Sequence, residues 1–304
     1  MRDAYDKFKE AGIRLYAISY DDQDVLATYA QTENIPFPLL SDLDSEVIRR
    51  YGILNTQVKP GDGIIYGIPY PGVFVTNEDG QVIGKFFQNN YKKRDSAEII
   101  IDAALGRVLL ADDAPQTSAD DGEGVKITTT LHGGSGSLRQ GIIRQVVVRF
   151  ELRKGLHIYG EPVPEGMAPT TIDVTGPPGL VVEAPLYPPS RPLRLQGMDV
   201  VLQVWSGVVD VRIPVYANGE LASEVRPLDQ DRVKVVVNVN YQACDDVTCL
   251  LPKTKILALE VPLAVTDVPA LPVHMGHGQR EGRFDARDHM KRLIQRKKAT
   301  GTNL

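Results

Sequence analysis

The chain has 304 residues, with 34 Lys and Arg against 39 Asp and Glu, for a net charge of −5. That acidic balance argues against a nucleic-acid binder, and 42% hydrophobic with 24% charged residues excludes global disorder. No run reaches the roughly 18 consecutive apolar residues of a spanning helix, and at roughly 100–200 residues per domain the length predicts two domains.

In chain order, Met1 to Glu10 is charged throughout and lacks an apolar h-region, so it reads as an amphipathic helix and not as an export signal. Helical spacing runs from Asp3 to Ala11, with Ala4, Phe8 and Ala11 on one face and Gly12 as the stop. Ile13 to Ser19 has the length of a strand, Asp24 to Gln31 reads as a helix, Phe37 to Leu40 as extended, and Ser45 to Tyr51 as a helix. Val73 to Val75 and Val82 to Phe87 are strands around the turn Asn77-Glu78-Asp79-Gly80, and Ser96 to Leu105 is a closing helix. Mixed order of this kind predicts an α/β sandwich around one sheet, over residues 1–106.

Residues 107–124 then turn acidic and small, from Ala111 to Gly124 without a large apolar side chain, and predict a flexible linker. Beyond it the period changes to two. Strand runs appear at Val125 to Leu131, Ile142 to Leu152, Thr171 to Val174, Val200 to Trp205, Val208 to Val215, Val233 to Tyr241 and Thr254 to Val265, with Pro178-Gly179 and Asn218-Gly219 as turns. About seven such runs predict an all-β, immunoglobulin-like sandwich over residues 125–267. Residues 268–304 form a tail, with a basic helix expected from Phe284 to Lys298. Its apolar face, Phe284, Met290, Leu293 and Ile294, is too thin for membrane contact, so a solvated or docked helix is expected.

Several short motifs of the first hundred residues occur in a familiar order. Ile13-Arg14-Leu15-Tyr16-Ala17-Ile18-Ser19-Tyr20-Asp21, Phe37-Pro38-Leu39-Leu40-Ser41-Asp42, Tyr51-Gly52-Ile53 and Pro71-Gly72-Val73-Phe74-Val75 resemble the peroxiredoxin/redoxin (AhpC/TSA) branch of the thioredoxin-like fold. The resemblance implies an α/β thioredoxin-like domain, and it places Pro71 where the family keeps a cis-proline beside its active site. It also implies a peroxidatic cysteine on a strand-helix unit ahead of the matched part, whereas residues 1–106 contain no cysteine. The domain is therefore expected to be incomplete and silent toward peroxide, with the missing unit and a leader encoded upstream of Met1.

The two cysteines of the chain are Cys244 and Cys249, within Tyr241-Gln242-Ala243-Cys244-Asp245-Asp246-Val247-Thr248-Cys249-Leu250-Leu251-Pro252-Lys253-Thr254. This string resembles the cysteine signature of the N-terminal, periplasmic domain of the thiol:disulfide interchange protein DsbD. Lys154-Gly155-Leu156-His157-Ile158-Tyr159 and the strand Val208 to Val215 resemble further parts of that domain. The spacing also speaks for itself. Both cysteines flank a short loop between strands, and such a loop can fold back to bring two Cα atoms within the roughly 4.4–6.8 Å of a disulfide. So small a loop gains little from chain entropy, which favours a redox pair over a staple.

Four readings of the pair stay open: a reversible redox disulfide, a static one, part of a metal site, or two inert thiols. A closed zinc site wants four ligands, which disfavours metal. Asp245 and Asp246 are expected to solvate the loop. His157 reads either as a hydrogen-bonded structural residue or as a base. Tyr159 and Tyr241 are candidates to shield the disulfide, and Tyr187, in Tyr187 to Pro192, falls about where the family carries a cap loop. The resulting expectation is thiol-disulfide exchange through Cys244 and Cys249 in redox homeostasis. No bound cofactor is expected, the partner is a thioredoxin-like protein or a membrane thiol reductase, and the compartment implied by resemblance is the periplasm. The alternatives are a non-catalytic redox-partner binding module with a static disulfide, and a peroxiredoxin-type antioxidant protein whose cysteine lies upstream.

Overall fold

The computed structural model describes residues 1–62, 66–88, 92–194, 201–222, 230–245, 247–264 and 294–295. The chain divides into two compact units, Met1–Leu109 and Leu110–Leu304. The basic helix expected at 284–298 lies outside the described residues except for 294–295.

The first unit follows the expected mixed order: α1 (Tyr5–Glu10), β1 (Ala17–Ser19), α2 (Gln23–Thr32), β2 (Leu39–Ser41), α3 (Glu46–Arg50), β3 (Gly72–Thr76), β4 (Val82–Phe87), β5 (Arg94–Asp95) and α4 (Ala97–Leu105). Gly12 ends the first helical segment at φ +72°, a conformation open to glycine. Phe8, Val75, Ile100 and Ile101 form the core, so α1 and α4 bury their apolar stripes against β3. The strands form two separate ladders, β1 with β2 in parallel and β3 with β4 antiparallel. Ile13 to Tyr16 is not part of β1. Among the described residues the one cis peptide bond is Glu161–Pro162, so Tyr70–Pro71 is trans, contrary to the cis bond considered for Pro71. The approach to β3 is already set by the Tyr70 amide donating to the Ile53 carbonyl at 2.6 Å, and trans is the intrinsically preferred isomer.

The second unit is a β-sandwich. Its elements are β6 (Gln116–Asp120), β7 (Val125–His132), β8 (Leu138–Arg139), β9 (Ile142–Leu152), β10 (His157–Gly160), β11 (Thr171–Thr175), β12 (Leu180–Val182), β13 (Arg191–Arg194), β14 (Val201–Ser206), β15 (Val208–Ala217), α5 (Gly219–Ala222), β16 (Arg232–Tyr241), β17 (Ala243–Cys244) and β18 (Lys253–Ala264). β6, β7, β9, β15 and β12 make one wall, β11, β16 and β18 the other, and short β8 joins them. Period-two alternation decides what lies between them. Val233, Val235, Val237 and Val239 of β16 and Leu257, Leu259 and Val261 of β18 are buried in one cluster with Val146, Val148 and Phe150 of β9 and Val211 and Ile213 of β15. Each such side chain contributes roughly 1.5–3 kcal/mol on full burial. A smaller sheet, ordered β13-β14-β10-β17, carries the cysteine end. The Asn218-Gly219 pair opens α5 and not a hairpin, because the Asn218 side chain accepts from the Glu220 amide at 2.9 Å.

The expected flexible linker at 107–124 is corrected. Gln116–Asp120 forms β6, paired along its whole length with Lys126–Thr130 of β7. Asp121 supplies the reason. Its side chain is 1% exposed. It accepts from the amides of Glu123 at 2.8 Å and Val125 at 3.0 Å, from the Tyr241 hydroxyl at 3.0 Å and from the Lys253 ammonium at 3.0 Å. Burial alone would raise its pKa, but the backbone donors, Lys253 and Tyr241 outweigh it and hold the carboxyl at about 2. The acidic stretch is ordered by its pairing with β7 and by satisfied charge, with Ala119 packed partly buried against the core cluster.

A pH dependence follows. A carboxyl depressed from 3.8 to about 2 on folding contributes stability that is complete above pH 4 and lost as pH falls toward 2. The contribution is about 2 kcal/mol. The stability difference between the native chain and Asp121→Asn, read from urea unfolding, is expected to shrink by about that amount between pH 5 and pH 2. A difference constant with pH would show that Asp121 is not so held.

Candidate functional site

The core-facing alternation of β16 ends with Tyr241, and β17 then carries the chain to the smaller sheet. There His157 and Ile158 of β10 pair with Cys244 and Ala243. Cys244 and Cys249 form a disulfide, their Cα atoms 4.1 Å apart. They face each other as an antiparallel pair between two ladder bonds, the Leu250 amide to the Ala243 carbonyl and the Asp245 amide to the Thr248 carbonyl, both 2.9 Å. A non-hydrogen-bonded pair is the position where adjacent strands approach most closely. That is how a four-residue loop places the two sulfurs within bonding reach.

Two polar side chains shape the loop. Asp245 accepts from the Thr248 amide at 2.6 Å and the Val247 amide at 2.8 Å, and these bonds hold its carboxyl below the ordinary range, with Arg153 and His157 adding a smaller electrostatic effect. Asp245 thus closes the turn through its own side chain, an Asx arrangement, rather than only solvating the loop. Asp246 lies outside the described residues. Gln242 accepts from the Ala168 amide at 2.8 Å and donates to the Leu250 carbonyl at 3.0 Å, tying both sides of the loop together. The sequence reading did not single out Gln242, although it stands two residues before Cys244 in the quoted string.

The two sulfurs have unlike surroundings. Cys244 is fully buried in a cluster with Tyr159, Leu202 and Val204. Cys249 is exposed, between Val247 at 93% and Leu251 at 83% exposure.

Of the supporting residues, His157 and Tyr159 come together with the disulfide. The Tyr159 hydroxyl lies 3.0 Å from His157 Nε2 and 3.8 Å from Cys249 Sγ, with both residues buried. Burial pushes the Tyr159 hydroxyl pKa up, so it stays protonated through neutral pH. Tyr241 and Tyr187 do not join them. Tyr241 belongs to the main sandwich core, edge-on to Phe150 with its hydroxyl on Asp121, because the alternation that buries Val239 buries it on the same face. Tyr187 stacks on Trp205 at 5.4 Å, whose indole nitrogen donates to the Pro188 carbonyl. Trp205 pairs with Ile158, and both pack in the main core, on the face of the small sheet away from Tyr159 and Cys244. Pro71 belongs to the first unit, at the entry to β3. Among the described residues no cluster of three or more His, Cys, Asp or Glu side chains is arranged to hold a metal.

Comparison with known proteins finds a similarity for part of each unit. Residues 1–85 match the AhpC/TSA family, and residues 137–261 match the family described as thiol:disulfide interchange protein DsbD, N-terminal. A putative peroxiredoxin of Mycobacterium tuberculosis, Rv2521, is 36% identical over 86 residues, covering 27% of this chain and 51% of that protein. The thiol-disulfide oxidoreductase ResA of Bacillus thuringiensis is 29% identical over 84 residues, covering 27% of this chain and 40% of that protein. The chain thus spans about half the length of these relatives. Among solved structures, the N-terminal periplasmic domain of ScsB from Proteus mirabilis aligns with a TM-score of 0.32 and 15% identity, over 49% of this chain and 50% of that one. The chain joins a thioredoxin-like region similar to the AhpC/TSA family to an immunoglobulin-like domain similar to the N-terminal domain of DsbD, and the disulfide lies in the second.

Proposed function

We propose that the chain exchanges electrons with a thioredoxin-like protein, or with a membrane thiol reductase, through the Cys244–Cys249 disulfide. The observation that carries this reading is the unequal exposure of the two cysteines. A partner thiolate has access to Cys249 Sγ and none to Cys244 Sγ. Attack at Cys249 forms a mixed disulfide and expels Cys244 as a thiolate. The partner's second thiolate then attacks the partner sulfur of that bond, completing the partner's own disulfide and releasing Cys249. Two electrons pass to the chain, and run backwards the same steps reduce a substrate disulfide. No organic cofactor enters. By similarity to the DsbD N-terminal domain, the compartment we propose is the periplasm.

The test is direct. The oxidised chain incubated with a reduced thioredoxin-like protein is expected to gain two titratable thiols while the partner loses two. A bridge inert to such reductants would leave the reading of a binding module with a static disulfide, which the closely bonded Asp245 loop also accommodates.

The peroxidase reading meets a specific obstacle, since residues 1–106 hold no thiol. Catalytic peroxide turnover by the chain is expected not to exceed that of the Cys244→Ser/Cys249→Ser variant, because no side chain of residues 1–106 offers peroxide a nucleophile comparable to a thiolate at neutral pH. Turnover by the double variant would overturn this assignment of the first unit.

A further inference from the structure

We infer that Tyr159 is a hydrogen-bond donor to the Cys249 sulfur in the reduced protein, and that His157 is the positioning residue that turns the phenolic proton toward it. This rests on the exchange reading for its purpose, but its geometry stands apart from it.

Tyr159 and His157 alternate on one face of β10, and that strand pairs with Cys244. The backbone register therefore brings a phenol and an imidazole to the disulfide from a neighbouring strand. The hydroxyl is 3.8 Å from Cys249 Sγ and 3.0 Å from His157 Nε2, and the two rings meet edge to face at 5.2 Å. A phenol has one proton to donate. When His157 Nε2 carries a hydrogen, it donates to the phenolic oxygen and leaves that proton free for sulfur. A disulfide sulfur is a weak acceptor, which suits the long 3.8 Å contact. A thiolate is charged and accepts more strongly.

The exchange steps locate the effect. When the partner's second thiolate closes the partner disulfide, the electron pair of the mixed disulfide passes to Cys249 Sγ. The charge develops where the Tyr159 hydroxyl already stands, inside a contact that excludes water on the Tyr159 side. In the opposite direction the same bond holds more of Cys249 as the attacking thiolate at neutral pH. Cys244, buried among Leu202, Val204 and Tyr159, resolves from within. Among the described residues, the charged or titratable groups acting at the loop are Asp245, which closes it, and Arg153 and His157, which act electrostatically on Asp245.

The test uses the full chain with Cys244→Ser, so that Cys249 is the one thiol, reduced with a phosphine that is then removed. The pH dependence of iodoacetamide alkylation reads the Cys249 pKa. Adding Tyr159→Phe is expected to raise that pKa by about one, the equivalent of a tenfold loss of thiolate, on the scale of one hydrogen bond to a charged group. His157→Leu is expected to shift it the same way, and His157→Gln, whose amide still donates, to restore most of the original value. A purely structural role would lower the melting temperature of these variants without moving the thiol pKa. An unchanged pKa in Tyr159→Phe, or equal shifts for His157→Leu and His157→Gln, would overturn the inference. Should Tyr159→Phe fail to fold, the two His157 variants decide. Because alkylation needs no partner, a chain that fails to exchange with thioredoxin-like proteins sinks the exchange reading alone.

Discussion

Cys249→Ser is expected to abolish both electron exchange and covalent capture of a partner, whereas Cys244→Ser is expected to abolish turnover but accumulate a mixed disulfide. The asymmetry comes from burial. In Cys244→Ser the remaining thiol is the exposed one, and the resolving thiol that would release a captured partner is gone. In Cys249→Ser the remaining thiol is fully buried, and a partner reaches it only through local opening of the loop. An opening cost on the order of 3 kcal/mol suppresses its reactivity roughly a hundredfold. Non-reducing electrophoresis after incubation with an oxidised thioredoxin-like protein reads the capture, and the rate of reaction with an aromatic disulfide reagent reads the accessibility. Equal capture by both variants would remove the assignment of Cys249 as the entry sulfur. Capture by neither would remove exchange itself.

The second large effect concerns the start of the sandwich. A fragment beginning at Val125 is expected to be less stable than one beginning at Leu110 by roughly 3 kcal/mol, the scale of losing two hydrogen bonds to a charged group, from Tyr241 and Lys253 to Asp121. The cut removes β6 and Asp121 together. It exposes the edge of β7 to water and to other chains, and it leaves the Tyr241 hydroxyl and the Lys253 ammonium without their shared acceptor. At about 2–4 °C per kcal/mol for a domain of this size, the melting temperature falls by roughly 10 °C. Limited proteolysis of the whole chain is accordingly expected to spare residues 116–125. Preferential cleavage there, or equal melting temperatures for the two fragments, would mean that β6 is not bound to the sandwich as the structure has it.

These results separate what is local from what is not. The strands from Val125 to Leu263 were legible because a half-buried strand repeats every two residues, and β16 with its row of buried valines shows that pattern without any knowledge of its neighbours. Cys244 and Cys249 were legible as a pair for the same reason. Their loop is closed within a few residues, so spacing alone limits its geometry. The two similarities, to the AhpC/TSA family and to the DsbD N-terminal domain, could likewise be recognised from short strings in chain order.

Other features depended on residues far away in the chain. Composition makes Ala111 to Gly124 look unable to order itself, yet Gln116–Asp120 pairs with the adjacent β7, and Asp121 is held by Tyr241 and Lys253, more than a hundred positions later. Tyr241 looks like a neighbour of the disulfide in sequence, yet it faces the main core, while Tyr159, ninety residues from Cys249, touches its sulfur. Even the short strands β10, β13 and β17, too brief to show a period, exist because their partners hold them. By itself the sequence determined the strand pattern, the sandwich and the cysteine pair, because periodicity and short loops act over a few residues. Only the tertiary structure decided which sulfur is buried, which tyrosine meets it and why the acidic stretch folds, because hydrogen bonds and desolvation between distant segments exist only once the sheets have closed.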